Sequence, residues 1–139
     1  MPGRNFLDTN VLVYTDDLGE PQKRETALAL VERCMQKSCG VVSSQVLQEY
    51  FVTIRRKLGV SAEIARRKVE LAARFDVVLI GIEDILAAID LHRLHSFSFW
   101  DALVIRSAAR AGCSILYSED LQHGQRIDGL EIVNPFLGL

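Results

Sequence analysis

The stretch Asn5-Phe6-Leu7-Asp8-Thr9-Asn10-Val11-Leu12, near the N-terminus, decides the fold. Residues 5–7 form a short, largely apolar run, which is typical of a buried strand that enters a turn. The next three residues, 8–10, have side chains that can cap the first turn of a helix. Because residues 11–14 are apolar again, the sequence alone does not fix the boundary between strand and helix. The stretch therefore predicts a strand, an acid at its carboxyl end and a helix.

Short apolar runs and longer helical segments alternate along the rest of the chain. Helices are predicted at residues 21–40, 43–59, 61–75, 83–95 and 98–112. Further strands are predicted at residues 41–42, 77–80, 114–117 and 130–133. The β-branched run at 77–80 is expected to be fully buried. This alternation predicts an α/β fold with a mainly parallel sheet of four to five strands, covered by helices on both faces.

The composition supports a single domain that covers residues 1–139. Of the 139 residues, 49% are hydrophobic and 24% are charged, so a packed core is feasible. The formal net charge of −2 gives no general attraction for nucleic acid. The three cysteines form no CxxC pair, which argues against a disulfide framework or a zinc site, and we expect them to be reduced. No apolar run approaches the roughly 20 residues of a membrane span, and an early acid argues against a secretory signal. We therefore expect a cytoplasmic protein without a membrane partner.

Four acids stand where the predicted elements would bring them to one edge of the sheet. Asp8 directly follows the first strand, and Asp120 follows the strand at 114–117. The carboxyl ends of parallel strands meet at one edge, which is where such folds bind ligands. Glu49 lies on the helix after the second strand, and Asp101 lies in the first turn of a later helix, both among apolar neighbours. We expect the four carboxylates to form one site.

A cluster of four carboxylates would stay partly protonated unless a cation offsets its charge. Each acid alone has a structural explanation: helix capping for Asp8 and Asp101, a turn for Asp120, and surface exposure for Glu49. Together, in apolar settings, the four charges would raise one another's pKa values. No Lys or Arg lies within three residues of Asp101 or Asp120. Since Mg²⁺ and Mn²⁺ take oxygen ligands, the sequence predicts a divalent-metal site.

Four segments around these acids resemble the motifs of PIN domains, the nuclease fold of VapC-type toxins. They are Phe6-Leu7-Asp8-Thr9-Asn10-Val11-Leu12, Ser44-Gln45-Val46-Leu47-Gln48-Glu49, Phe99-Trp100-Asp101-Ala102-Leu103 and Tyr117-Ser118-Glu119-Asp120-Leu121. The tail Ile132-Val133-Asn134-Pro135-Phe136 is similar to the closing strand of that family. The resemblance covers essentially the whole chain and depends on the order and spacing of the segments together. It implies a three-layer α/β/α sandwich.

The resemblance also implies a function. It implies an endoribonuclease that uses Mg²⁺ or Mn²⁺ to hydrolyse RNA phosphodiester bonds. Asp8 and Asp101 would hold the main metal, and Glu49 and Asp120 would complete its shell directly or through water. The resemblance further implies a homodimer and a small antitoxin protein as the partner in a toxin–antitoxin pair. Residues 25–36 and 47–58 are the predicted dimer surface.

Polar neighbours of the acids are candidates for supporting the site. Asn10 and Ser118 could orient waters or ligands, or could serve only in capping and turn formation. Glu119 stands beside Asp120 and could share its role. In the family motif a hydroxyl residue stands two positions before the acid, and the spacing from Ser118 therefore favours Asp120 over Glu119 as the fourth acid.

Two further groups of side chains could contact RNA. Basic residues crowd the middle of the chain, namely Arg55, Arg56, Lys57, Arg66, Arg67 and Lys68. They could bind the RNA backbone, although a solvated helix surface is the favoured interpretation. Phe97 and Trp100 could stack on a base, although packing beneath the site is favoured.

Three other functions are compatible with the sequence. A receiver-type phosphoacceptor domain also has a parallel sheet, strand-end aspartates and Mg²⁺, but it usually needs a lysine late in the chain, and none follows Lys68. A catalytically silent PIN-like domain would only bind a partner and would show no carboxylate-dependent Mn²⁺ binding. A nuclease of the same chemistry could act on DNA, because no residue in the sequence is identified as recognising the 2′-hydroxyl of RNA.

Overall fold

The computed structural model describes residues 3–139 and contains six strands and six helices within that range. The strands are β1 (Arg4–Leu7), β2 (Gly40–Ser43), β3 (Asp76–Val78), β4 (Cys113–Tyr117), β5 (Arg126–Ile127) and β6 (Leu130–Val133). The helices are α1 (Thr9–Tyr14), α2 (Pro21–Gln36), α3 (Ser44–Leu58), α4 (Ala62–Ala72), α5 (Ile82–Leu94) and α6 (Phe99–Arg110).

All six strands form one sheet in the order β3-β2-β1-β4-β6-β5. The pairs between β3, β2, β1, β4 and β6 are parallel, and only the β5–β6 pair is antiparallel. The predicted α/β class with a mainly parallel sheet is confirmed, with one strand more than expected. The extra strand, β5, joins β6 through Asp128 and Gly129, which have φ angles of 50° and 82°. An Asp-Gly pair favours a two-residue hairpin turn, so the sequence did carry a signal for this strand.

The centre of the sheet is covered on both faces. Asn5, Phe6 and Leu7 of β1 are all buried, and Phe6 and Leu7 are fully enclosed. Because successive side chains of a strand point to opposite faces, burial of consecutive residues requires a layer of helices on each side. This arrangement places the carboxyl end of β1 near the middle of the row formed by the carboxyl ends of the parallel strands.

Side-chain caps set the beginning of four helices. Asp8 accepts a hydrogen bond from the amide of Thr9 at the start of α1. The hydroxyls of Ser43, Ser61 and Ser98 accept from amides in the first turns of α3, α4 and α6. These caps satisfy amides that have no partner within the helix, and they lie where the sequence predicts helix starts.

Gly40 does not end a helix, as the sequence had suggested, but begins β2. Helix α2 ends at Gln36, and the chain turns at Ser38, which has a φ angle of 52°. A Cβ atom on Gly40 would lie 2.4 Å from the ring of Phe75. The glycine is therefore needed for the close packing of that ring against the strand.

The prediction that residues 77–80 form a fully buried strand is wrong. Strand β3 comprises Asp76–Val78 and lies at the edge of the sheet, where Asp76 is exposed and Val77 and Val78 are half-buried. Leu79, which the sequence had placed in the strand, is 72% exposed. An edge strand has a neighbour on one side only, so an apolar sequence does not guarantee its burial.

The three cysteines, Cys34, Cys39 and Cys113, are free and buried, as expected from the sequence. Within residues 3–139, no helix has both the length and the apolar character that crossing a membrane requires.

Candidate active site

Asp8 and Asp120 lie at the carboxyl ends of two paired strands. Strands β1 and β4 run parallel with Leu7 opposite Tyr117, and the amide of Asp8 donates to the carbonyl of Tyr117 at 3.0 Å. The chain then continues from β4 into the loop that carries Asp120. These two acids, 112 positions apart in the chain, therefore share one edge of the sheet.

Glu49 and Asp101 come from two helices that meet at the same edge. Glu49 lies in the second turn of α3, and Asp101 lies in the first turn of α6. Gln45 connects these helices: its side-chain amide lies 2.8 Å from Oε1 of Glu49 and 3.4 Å from the carbonyl of Trp100. The amide thus holds Glu49 beside the start of the helix that supplies Asp101.

Asp8 is the most deeply buried acid of the four, with only 5% of its surface exposed. Burial is the main reason why its pKa is raised to about 6, and the charges of Asp120 and Glu49 raise it further. Hydrogen bonds from the Ser118 hydroxyl (2.7 Å) and the Thr9 amide (2.8 Å) oppose this effect without cancelling it. Asp8 is thus a buried carboxylate whose protein partners are uncharged donors, so little in the protein offsets its negative charge.

The pKa values of Glu49 and Asp101 are raised as well, mainly by partial desolvation of their carboxylates, although Glu49 is exposed and Asp101 is half-buried. The charges of Asp101 and Asp120 contribute to the shift of Glu49, and the charge of Asp120 contributes to that of Asp101. Among residues 3–139, none of the four acids forms an ion pair with Lys or Arg. The four predicted acids are thus brought together into one electrostatically coupled cluster without a protein counterion. We call Asp8, Glu49, Asp101 and Asp120 the acidic cluster.

The chemistry of the acidic cluster fits a hard divalent cation, because its donor atoms are carboxylate oxygens. Two buried oxygens beside it also have no hydrogen-bond partner within the described chain: Oγ1 of Thr9, next to Asp8, and Oε1 of Gln45, which holds Glu49. Within residues 3–139, however, no three Asp, Glu, His or Cys side chains stand close enough together to enclose a metal directly. Mg²⁺ typically retains several waters, so a looser carboxylate arrangement is compatible with its binding.

Ser118 and Asn10 fix the positions of two of these acids. Ser118 is fully buried, donates to Asp8 and accepts from the amide of Asp120 at 3.2 Å. The side-chain amide of Asn10 donates to Oδ2 of Asp120 at 3.0 Å, and its oxygen accepts from the amide of Glu119 at 3.3 Å. Both residues therefore hold the loop after β4 against the carboxyl end of β1.

A family model described as the PIN domain matches residues 6–128. This chain belongs to the PIN-domain family. The matched range includes all four members of the acidic cluster. A comparison with curated proteins finds no significant match.

Two solved structures have the same fold as this PIN domain. One is VapC20 of Mycobacterium tuberculosis, described as a toxin that cleaves the sarcin–ricin loop. It is 20% identical, with a TM-score of 0.64 over 82% of this chain and 88% of that one. The other is a toxin–antitoxin complex from Klebsiella pneumoniae. It is 16% identical, with a TM-score of 0.67 over 95% of this chain and 98% of that one. At these identities the similarity establishes the fold.

Glu119 of the PIN domain is committed to contacts outside the acidic cluster. Its carboxylate accepts from the Tyr14 hydroxyl at 2.6 Å and lies 2.8 Å from Nζ of Lys23. Burial alone would raise the pKa of Glu119, but these two contacts outweigh it and lower the pKa. The structure therefore favours Asp120 over Glu119 as the fourth acid. The roles of Lys23 and Tyr14 were not predictable from the sequence, because nothing in their local sequence indicates a contact with residues near position 119.

The basic residues proposed to bind RNA do not form one free surface on the PIN domain. Lys68 lies 2.6 Å from Asp16, and Arg66 pairs with Glu70 one helical turn away. Lys68 is thus held in a contact within the protein, whereas Arg66 forms its pair at the surface, where its side chain is 78% exposed. The other four, Arg55, Arg56, Lys57 and Arg67, are exposed. Contact of these six residues with the RNA backbone therefore stays a prediction, and Lys68 is the member with a partner inside the protein.

Proposed function

We propose that this PIN domain is a metal-dependent endoribonuclease that hydrolyses RNA phosphodiester bonds, and that it acts as a VapC-like toxin. The observation that carries this proposal is the acidic cluster, which gathers four coupled carboxylates without a protein counterion at the carboxyl edge of the sheet. The fold similarity to VapC20 of M. tuberculosis and to the K. pneumoniae toxin–antitoxin complex supports the choice of RNA over DNA and the toxin role.

We propose that the acidic cluster binds Mg²⁺ or Mn²⁺. Asp8 and Asp101 would be the principal ligands, with Glu49 and Asp120 completing the shell directly or through water. When bound, such an ion supplies Lewis-acid chemistry: it neutralises charge on the phosphate and makes water more acidic. Without a cation, the four carboxylates would repel a phosphodiester, so the same site needs the ion both to bind its substrate and to cleave it.

The residues around the acidic cluster orient its carboxylates. Ser118 and the Thr9 amide hold the two oxygens of Asp8, so this buried carboxylate has one preferred orientation. Asn10 holds Asp120, and Gln45 holds Glu49. These uncharged donors position the acids and leave their negative charge uncompensated, which preserves the attraction for a cation.

RNA cleavage after metal removal tests the proposed function. Protein dialysed against EDTA should leave a labelled single-stranded RNA intact, and added Mn²⁺ should raise cleavage on the order of 100-fold or more. DNA of the same sequence, with Mn²⁺ present, tests the choice of substrate. Cleavage that is equally fast in EDTA, or that acts on DNA in preference to RNA, would contradict the proposal. A catalytically silent domain would neither cleave RNA nor bind Mn²⁺ through its carboxylates.

We also propose an antitoxin partner, which the fold similarity to a toxin–antitoxin complex supports. The structure offers a groove of about 460 Å³ between α2, α3 and α4, lined by exposed apolar side chains that include Leu18, Leu28 and Leu71. Such a groove suits the apolar face of a short partner segment. A small protein encoded directly upstream, copurifying with this chain, is the expected partner. Complex formation that is unaffected by Leu28→Asp would exclude this groove.

Self-association is a further proposal, and the structure favours a different surface from residues 25–36 and 47–58. Ile82, Leu86 and Ile89 lie on one exposed face of α5 at helical spacing, with exposed fractions of 68%, 55% and 40%. A homodimer that buries this face should become monomeric with Leu86→Asp, as measured by light scattering. The control Leu18→Asp, at an exposed residue outside α5, should remain dimeric. A wild-type monomer would refute the dimer, and a Leu86→Asp variant that stays dimeric would refute this surface.

A further inference from the structure

A cavity of about 540 Å³ opens directly beside the acidic cluster. Asp101 and Asp120 form part of its wall. The remaining wall consists of residues 94–97, at and after the end of α5, and residues 121, 122 and 125, in the loop between β4 and β5. The cavity therefore adjoins the place where a scissile phosphate would bind, and the rest of its wall takes no part in the proposed metal binding.

Two of the residues that line this cavity, His95 and Phe97, have aromatic rings. The rings of His95 and Phe97 lie with their centroids 5.7 Å apart at an angle of 38°. The carbonyl of Phe97 lies 2.6 Å from Nδ1 of His92, which ties this short loop to the end of α5. Phe97 also packs partly against the core, so its ring is held in place. A fixed aromatic ring at a cavity wall provides a surface on which a planar group can stack.

The wall of the cavity also includes two residues with side-chain amides, Gln122 and Gln125. Within residues 3–139, neither amide has a hydrogen-bond partner. The backbone of these two residues is nevertheless fixed by hydrogen bonds. The backbone N–H of Gln125 donates to the backbone carbonyl of Gln122 at 3.2 Å, and the backbone carbonyl of Gln125 accepts from the backbone N–H of Ile132 in β6 at 2.9 Å. Each amide group offers both a donor and an acceptor. The cavity thus combines a stacking surface with hydrogen-bonding groups whose backbone is anchored.

The walls of the cavity favour an uncharged planar ligand over an anion. Among the described residues, no Lys or Arg lines it, so the wall offers a phosphate group no ion-pair partner of that kind. The base of an unpaired nucleotide meets each requirement, because it stacks on aromatic side chains and presents donors and acceptors at its edges. Glutamine amides can recognise such edges through paired hydrogen bonds.

We propose that this cavity binds the base of one unpaired nucleotide adjacent to the scissile phosphate, and that Gln122 and Gln125 select that base. The inference rests on the proposed ribonuclease function and adds a determinant of its sequence specificity. Phe97 supplies the stacking surface, and the two glutamines distinguish the edges of the bases. Because stacking is possible with every base, Phe97 governs affinity for all substrates, whereas the glutamines govern the choice among them.

Cleavage of an RNA pool with a randomised single-stranded segment tests this proposal. With Mn²⁺, the wild type should prefer one base at a fixed position next to the cut by about tenfold or more. The double substitution Gln122→Ala with Gln125→Ala should reduce this preference to about twofold or less, mainly through KM. Phe97→Leu keeps an apolar side chain but removes the ring, and it should weaken binding of all RNAs by about tenfold. Gln36→Ala, at the end of α2, is the matched control and should change neither property.

The outcomes separate this inference from the proposed function. If the wild type cleaves RNA and the glutamine variant keeps the same base preference, the cavity does not select a base and the inference is wrong. If the wild type cleaves no RNA, the ribonuclease proposal fails, and fluorescence anisotropy with a labelled single-stranded RNA then tests the cavity alone. Weaker binding by the Phe97 and glutamine variants than by the wild type would support the cavity as a base site. Equal binding would overturn it.

Discussion

Replacement of Asp8 by Asn is expected to abolish RNA cleavage and, at the same time, to stabilise the metal-free protein. Asn keeps the size of the side chain, and its oxygen can still accept from the Thr9 amide. Its NH2 group would donate to the Ser118 oxygen in place of the bond that Asp8 accepts from that hydroxyl, and Asn lacks the charge proposed to attract the cation. If Asp8 is a principal metal ligand, as proposed above, its loss should lower Mn²⁺-dependent cleavage about 1,000-fold or more. Asp101→Asn should have a comparable effect, whereas Asp90→Asn, at an exposed position on α5, should be neutral.

The stabilising effect of Asp8→Asn follows from the raised pKa of Asp8. Because the folded state binds the Asp8 proton more tightly than the unfolded state, the wild type loses stability as the pH rises from about 4 to about 6. A pKa raised from 3.8 to about 6 corresponds to about 3 kcal/mol in the free energy of unfolding above that window. Asn cannot ionise, so it avoids this penalty.

Denaturant unfolding in EDTA at pH 4 and pH 8 measures this effect. The Asp8→Asn variant should be more stable than the wild type at pH 8, by up to about 3 kcal/mol, and the difference should largely disappear at pH 4. Mn²⁺ should stabilise the wild type and leave the variant nearly unchanged. A variant that is less stable than the wild type at pH 8 in EDTA would contradict our account of the site's electrostatics.

Asp84→Ala is expected to cause a large loss of stability without touching the acidic cluster. Asp84 is 3% exposed and lies 3.1 Å from Arg106 and 2.8 Å from Arg110, both on α6. It also accepts from the amide of Gly81 at 2.9 Å, which caps the start of α5. Alanine would leave two cations and one amide without their shared partner. Since both arginines are partly exposed, we expect the free energy of unfolding to fall by about 2–3 kcal/mol, which is at the low end of the cost of breaking a buried ion pair.

The pH dependence of Asp84→Ala has the opposite sign to that of Asp8→Asn. Burial would raise the pKa of Asp84, but the Gly81 amide and the two arginines outweigh it and lower the pKa. The stabilisation by Asp84 is therefore complete at neutral pH and is lost as the pH falls through the acidic range below 3.8. Urea unfolding at pH 7 should show the full loss, and the loss should shrink toward pH 3. Glu83→Ala, at the neighbouring exposed position, is the control. A change in the free energy of unfolding of less than about 0.5 kcal/mol for Asp84→Ala would refute the stabilising role of the buried ion pair.

The sequence by itself determined the local structure and the positions of the acids along the chain. Serine and aspartate caps, helical periodicity and short apolar runs act between residues a few positions apart, so they can be recognised without the fold. The same order of elements placed Asp8 and Asp120 at strand ends. A parallel sheet then requires these two acids to share an edge, which is why their convergence was predictable.

Only the tertiary structure decided the partners of individual charges. Glu119 meets Tyr14 and Lys23 across about a hundred residues of chain, Lys68 meets Asp16, and the buried Asp84 meets two arginines on the next helix. The exposure of β3 likewise follows from its place at the edge of the sheet. Each of these outcomes depends on which surfaces the packed helices and strands bring together and how much water remains there. Sequence spacing does not encode those distances, and an ion pair or a pKa depends on them directly.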